Sequence, residues 1–224
     1  MNLERFEALI GTEKLNAIKN LNILIVGIGG VGGYTLESLV RSGIENIRVV
    51  DFDTIDSSNL NRQILTNTEN IGKLKTDEAI KRSKLINPNI NIKALSIFLD
   101  DKTIDNINLN DFDYVVDACD SIKTKELLIN KCIESNIKII SSMGTAKKLD
   151  ATKLEITTLD KTSYDPLAKL LRHNINKRYH KKVNVISSKE EPKKANILGS
   201  CSYVPAVAGL LITNYIINDI LKGR

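Results

Sequence analysis

The 224-residue sequence predicts an α/β fold: a doubly wound, mostly parallel sheet with a C-terminal antiparallel extension and a basic helical lobe. Three observations carry this expectation. Short, uniformly apolar runs alternate with stretches of helical spacing over residues 1–145, the pattern of strands buried on both faces and joined by crossover helices. A glycine-rich turn follows the first of those runs. Beyond residue 145 the pattern changes to one alternating segment, an amphipathic helix and a cluster of lysines and arginines. The chain is read as a single domain, 1–224, with a nucleotide-binding part (1–145) and an extension (146–224).

The elements follow in order. Residues 11–19 place Leu15 and Ile18 on one helical face, with Arg5 ahead of them on an exposed N-terminal arm. Residues 23–26 (Ile-Leu-Ile-Val) are too uniformly apolar for a surface element and read as a buried strand. Gly27, Gly29 and Gly32 then permit a tight turn, close approach of backbone to a phosphate, and close packing of the next helix on the sheet. Free N–H groups at that helix start favour an anion. The helix carries Val31, Tyr34, Leu39 and Val40 and stops at Gly43.

A second strand, 47–50, ends at Asp51, placed where a ribose-binding acid is expected after a G-x-G-x-x-G turn. Taken alone, this Rossmann-like signal indicates a nucleotide or dinucleotide and does not separate ATP from a nicotinamide cofactor. Residues 53–64 are too polar for a strand and form a loop over the mouth of the sheet. A helix over 72–86 ends at Asn87-Pro88. Strands at 90–99, 114–118 and 137–140 and a helix at 122–134 complete the first part, so that Gly27, Asp51 and 117–120 converge at strand ends. In the extension, 154–159 alternates as an antiparallel strand. Residues 166–178 form a helix with Leu167, Leu170, Leu171 and Ile175 inward.

Composition narrows the function classes. With 32 Lys+Arg against 27 Asp+Glu, the net charge of +5 does not mark the whole chain as a polyanion binder; the basic residues instead concentrate between Lys169 and Lys194. Cys119, Cys132 and Cys201 form no C-x-x-C pair, so neither a zinc site nor a disulfide framework is expected. No secretory signal is expected at the N-terminus, and the protein is placed in the cytoplasm. Residues 203–217 are apolar but interrupted by Pro205, Thr213 and Asn214, which favours a buried helix over a bilayer span of about 20 residues; no membrane partner is expected.

Two cations point to the chemistry. Arg62, on the loop, and Lys75, opening the next helix, both fall near the nucleotide crevice. Hydride transfer needs no such pair, whereas splitting a triphosphate builds charge that fixed cations stabilise. A charge-assisted hydrogen bond contributes about 1.5 to 3 kcal/mol, against about 0.3 to 1 for a helix dipole; the alternative is a pair of solvated surface charges. Asp120, beside Ser121, could hold Mg²⁺, which takes one or two carboxylates plus phosphate oxygens, or could cap the helix at Ile122. Asp117 is read as capping or bonding backbone. Cys119 and Cys201 read as small buried residues rather than nucleophiles. His173 and His180 read as phosphate contacts or surface residues.

The runs GIGGVGGY (27–34), VVDFDTIDSSNLNRQI (49–64), IGKLK (71–75), INPNI (86–90) and VVDACDS (115–121) resemble the ubiquitin-activating-enzyme-like superfamily, which activates carboxylates by adenylation. Residues 141–172, 185–192 and 198–211 are similar to the tRNA threonylcarbamoyladenosine dehydratases within it. The resemblance implies ATP-dependent cyclisation of threonylcarbamoyladenosine beside a tRNA anticodon, through adenylation of its threonyl carboxylate. The alternative is an adenylyltransferase acting on the C-terminal carboxylate of a ubiquitin-like sulfur carrier.

By the same resemblance, Gly27, Gly29, Gly30 and Gly32 hold the ATP phosphates, Asp51 the ribose, and Asn59, Arg62 and Lys75 the phosphates. Asp120 binds Mg²⁺ with Ser121 beside it, and Asp53 is a second acid near the nucleotide. Arg5 reaches the partner subunit's nucleotide, which implies a homodimer. The resemblance leaves room for a monovalent cation and for a cysteine-desulfurase sulfur-relay partner. The basic residues Lys169, Arg172, Lys177, Arg178, Lys181 and Lys182 then serve to contact tRNA phosphates without reading sequence.

Overall fold

The computed structural model describes residues 1–194 and 196–223. In chain order it contains α1 (Glu4–Ile10), α2 (Thr12–Lys19), β1 (Asn22–Val26), α3 (Gly32–Arg41), β2 (Asn46–Val50), α4 (Lys75–Ile86), β3 (Asn91–Leu95) and β4 (Tyr114–Asp117). It continues with α5 (Ile122–Glu134), β5 (Lys138–Ser142), β6 (Leu154–Thr158), α6 (Pro166–Asn174), β7 (Asn184–Ser188) and α7 (Tyr203–Leu221).

Among the described residues there is one seven-stranded sheet of order β3-β2-β1-β4-β5-β7-β6. All neighbours run parallel except β6, which pairs antiparallel with β7 and forms the edge opposite β3. The first five strands have the order of a Rossmann-like sheet, with the topological switch between β1 and β4, where such folds bind ligands. Two apolar layers flank the sheet. Ile23, Ile25, Leu36, Leu39, Ile212 and Ile216 pack on the side of α3 and α7, while Leu24, Leu128, Cys132, Leu171 and Val185 pack on the side of α5 and α6.

β1 has four consecutive buried residues, as its unbroken apolar run requires. The C-terminal apolar stretch is the helix α7, which lies against α3 and is half buried. A side chain on Gly209 would press into the Val31 carbonyl, so glycine is what lets the two helices meet; there the Thr35 hydroxyl donates to the Gly209 carbonyl at 3.2 Å.

The structure corrects several expectations. The N-terminal arm that carries Arg5 is a short helix, α1, and Arg5 is exposed on it as expected. The helix expected over 166–178 stops at Asn174, because Ile175 turns extended; Lys177–Tyr179 form a separate turn capped by Asn176. Leu170 points outward, whereas Leu171 and Ile175 are buried. His180 is not a surface or phosphate-binding residue: its ring is buried, with Nε2 3.0 Å from the Ile175 carbonyl. β7 was not expected at all, yet it is the buried strand that joins the extension to the main sheet.

Candidate active site

A crevice of about 600 Å³ opens at the carboxyl ends of the parallel strands. Its floor is the glycine turn. The Gly27 N–H donates to the Val50 carbonyl at 2.8 Å, and Gly27 has φ of +83°, a left-handed geometry in which a Cβ would also lie 2.8 Å from the Ala118 carbonyl oxygen. A Cβ on Gly32 would strike the Gly27 carbonyl, so the helix can start directly against the turn only with glycine there. Gly29 and Gly30 line the crevice, bordered by Gln63, Arg62 and Pro205.

Asp51 is 8% exposed and braces this turn: one carboxylate oxygen accepts the Ile28 N–H at 2.8 Å and the other accepts the Asp53 N–H at 2.9 Å. Each oxygen keeps lone pairs for a further donor. The Lys75 ammonium pairs with Asp53 at 2.6 Å; the lysine is buried while the acid is partly exposed. Asp56 caps a short turn, and Asn59 closes the capping box, its side-chain oxygen accepting the Asp56 N–H at 3.1 Å, and lines the crevice beside Arg62. Arg62 is anchored through Nη1 to the Ser58 carbonyl at 2.8 Å and to Asn61 Oδ1 at 3.0 Å.

At the end of β4, Asp120 is exposed at the crevice wall. It does not cap α5; Ser121 does, accepting the Thr124 N–H at 3.3 Å. Asp117 bonds backbone, as expected, but as a core anion and not a helix cap: it accepts the Cys119 N–H at 3.4 Å, pairs with Lys125 at 3.1 Å and accepts the Ser141 hydroxyl at 2.6 Å. Burial, followed by the Asp117 carboxylate, pushes the Cys119 thiol well above its ordinary range, and burial pushes Cys132 up to about 12. Neither thiol is an activated nucleophile.

The six basic residues expected to form one lobe are separated. α6 begins at Asp165 and Pro166 on the crevice wall, which leaves exposed Lys169 one turn away. Arg172 is turned inward, bonded to the Leu159 and Thr162 carbonyls and the Thr162 hydroxyl, and so ties a loop to α6 instead of facing solvent. Lys177, Arg178, Lys181 and Lys182 precede β7, at the amino ends of the strands and away from the crevice. Arg178 packs on the Tyr179 ring at 4.8 Å, and Lys182 borders a separate cleft with Lys138 and Asn184.

Sequence reasoning missed several lining residues. Gln63 is buried beside Gly29 with its Oε1 lacking a hydrogen-bond partner among the described residues. Phe52 and Phe98 meet edge to face at 5.0 Å and give the β2–β3 side an apolar flank. Lys147, Lys148 and Asp165 line the β5 side. For Asp165 a signal was present, a capping acid directly before Pro166 at a helix start.

Comparison with known proteins agrees with this arrangement. The ThiF family pattern matches residues 3–223. The chain belongs to the ThiF family. This ThiF-family chain is 37% identical to the tRNA threonylcarbamoyladenosine dehydratase of Bacillus subtilis, over 97% of this chain and 94% of that protein. It is 36% identical to the Haemophilus influenzae protein of the same name over 75% of this chain, though that match spans 64% of the relative. Among solved structures, the Escherichia coli tRNA N6-threonylcarbamoyladenosine dehydratase in complex with AMP superimposes with a TM-score of 0.93 at 28% identity, covering 98% of this chain and 94% of that one. The same enzyme in complex with ATP gives 0.92 at 28% identity, covering 99% and 94%.

Proposed function

We propose that the protein uses ATP to activate the threonyl carboxylate of threonylcarbamoyladenosine in tRNA and cyclises the nucleoside with loss of water. The observation that carries this reading is the crevice, in which a glycine turn, Arg62, Lys75 and Asp120 meet in the fold shared with an ATP-bound dehydratase. The site has the features a nucleotide needs: a backbone cradle that side chains would fill, and a buried Gln63 acceptor still unfilled.

In this reading the base lies on the apolar flank of Phe52, Ile97, Phe98 and Leu99, and Asp51 offers its spare lone pairs to the ribose. Gly29 and Gly30 let the backbone approach the phosphates. Asn59 and Arg62 border them, and Lys75 is held in place by Asp53 until phosphate shares it. Asp120, free of a capping duty, would hold Mg²⁺ together with triphosphate oxygens, and the ion would neutralise charge growing on them.

A carboxylate oxygen of the substrate bonds to the α-phosphorus while the bond to pyrophosphate breaks, and pyrophosphate leaves with the electron pair. Arg62 and Lys75 stabilise that departing charge. A nucleophilic group of the same nucleoside then closes on the acyl carbon, AMP leaves with the former carboxylate oxygen, and a proton passes to solvent. Because the nucleophile is tethered, proximity replaces an enzyme nucleophile, consistent with the suppressed Cys119 thiol. We place the reaction in the cytoplasm and in a homodimer, with Arg5, exposed on α1, reaching the partner's nucleotide. Lys169, near the crevice mouth, is the favoured tRNA phosphate contact of the basic set.

ATP–pyrophosphate exchange tests this function. Exchange stimulated by tRNA carrying threonylcarbamoyladenosine supports it. Exchange that requires a Gly-Gly-ended carrier protein and ignores tRNA would replace it with the sulfur-carrier adenylyltransferase.

A further inference from the structure

Two lysines are buried near the carboxyl ends of β4, β5 and β7, and their surroundings differ. Lys125 is fully enclosed and well satisfied: its ammonium sits 3.1 Å from both Asp117 oxygens and 2.8 Å from the Ser142 carbonyl, with Ser141 Oγ at 3.4 Å. It does not line the crevice. Lys148 is 2% exposed and does line it. Among the described residues its ammonium has two long contacts, 3.5 Å to Asp165 Oδ2 and 3.4 Å to the Ser188 carbonyl.

Asp165 does not need that lysine. Its Oδ2 accepts the Gly144 N–H at 2.9 Å and its Oδ1 accepts the Ala168 N–H at 3.0 Å, both shorter than the lysine contact, and they fix the carboxylate to the β5 loop and to the start of α6. An ammonium carries three donors, and a buried cation is costly unless closely paired. Lys148 is therefore a cation held in the crevice wall with capacity for a closer anion. Its burial keeps it from the backbone phosphates of a large polyanion; only a small acidic group inserted into the crevice can reach it.

The sheet order tells which group. The nucleotide contacts Asp51, Asp53, Lys75, the glycines and Asp120 lie over β2, β1 and β4, whereas Lys148 and Asp165 lie over β5 and β7. Resting on the function proposed above, we infer that Lys148 binds the carboxylate of the substrate nucleoside and presents it to the α-phosphate, with Asp165 and Gly144 fixing the loop that carries it. This assigns recognition of the acidic substituent to a residue of the extension, separate from the ATP contacts.

The test is a binding ratio read without turnover. With a non-hydrolysable ATP analogue present, full-length protein is titrated with threonylcarbamoyladenosine nucleoside and with its methyl ester. The wild type is expected to prefer the free carboxylate by about tenfold or more, the range of a charge-assisted hydrogen bond. Lys148→Met is expected to abolish that preference while ATP-analogue affinity stays within about twofold, since the nucleotide contacts lie elsewhere. The ratio is taken within one preparation and is insensitive to the folded fraction. Lys148→Gln, which keeps a donor without the charge, gives the second reading if the methionine variant melts too low.

A preference that survives in both variants overturns the inference and leaves Lys148 a buried structural pair. A wild type that binds neither ATP analogue nor nucleoside would instead overturn the function proposed above.

Discussion

The sheet end over β2, β1 and β4 and the sheet end over β5 and β7 both line one crevice, but they are built differently. In the first, two charged groups stand just past strand ends, Asp51 directly after β2 and Asp120 shortly after β4, and Lys75 joins them from the start of α4. In the second, exposed Lys177, Arg178, Lys181 and Lys182 lie at the far end of the strands, and the charged groups that reach the crevice are the buried Lys148 and Asp165 with half-buried Lys147. Surface charge density is therefore a poor guide to the site in the extension, while strand-end position is a good guide in the first part.

The sharpest break of this comparison is between structural and chemical lysines. Lys125→Met removes the partner of a buried Asp117 and is expected to cost about 3–5 kcal/mol of stability, seen as a lowered denaturant midpoint. Little loss of stability would mean that the Asp117 pair does not support the strand ends. Next in size, Arg62→Ala or Lys75→Ala is expected to lower kcat about 100- to 1,000-fold with a small change in melting temperature. The Asp53 side chain is 44% exposed and tolerates the loss of Lys75 through solvent, so stability is expected to hold. Wild-type kcat in either variant would remove the site.

A smaller effect separates the basic residues by place. Lys169→Ala is expected to raise KM for tRNA a few-fold and to lower the salt dependence of binding by about 0.7–0.9 in log–log slope, the share of one phosphate contact. Lys182→Ala, at the opposite strand ends, is expected to leave both unchanged; equal effects would restore a continuous basic surface. Smallest of all, Cys119→Ser is expected to keep turnover within about twofold, since a thiol held far above its usual range supplies no thiolate near neutrality. Loss of activity there, with the fold intact, would point to a covalent intermediate.

How legible the molecule was in its sequence follows the same division. β1 and β4 announce themselves through apolar runs closed by Gly27 and Asp117, because a strand buried on both faces leaves no polar position to confuse the pattern. β7 escaped notice because Lys181, Lys182 and Lys189 flank Val183, Val185 and Ile186, and the charge obscured a strand buried between β5 and β6. Arg172 and His180 carried polar identities that suggested surface, yet each satisfies backbone carbonyls inside the fold, a pairing that depends on tertiary contact. Gln63 and Lys148 could be placed only once the chain had closed around the crevice, since neither spacing nor neighbours distinguish them from ordinary polar residues.

The most direct measurement of the central claim is mass analysis of nucleosides from modified tRNA incubated with the protein, ATP and Mg²⁺. The account predicts that threonylcarbamoyladenosine is converted to a product lighter by one water, with AMP and pyrophosphate released in equal amounts and no conversion without ATP. Unchanged nucleoside in the presence of intact protein and ATP, with no AMP formed, would contradict it.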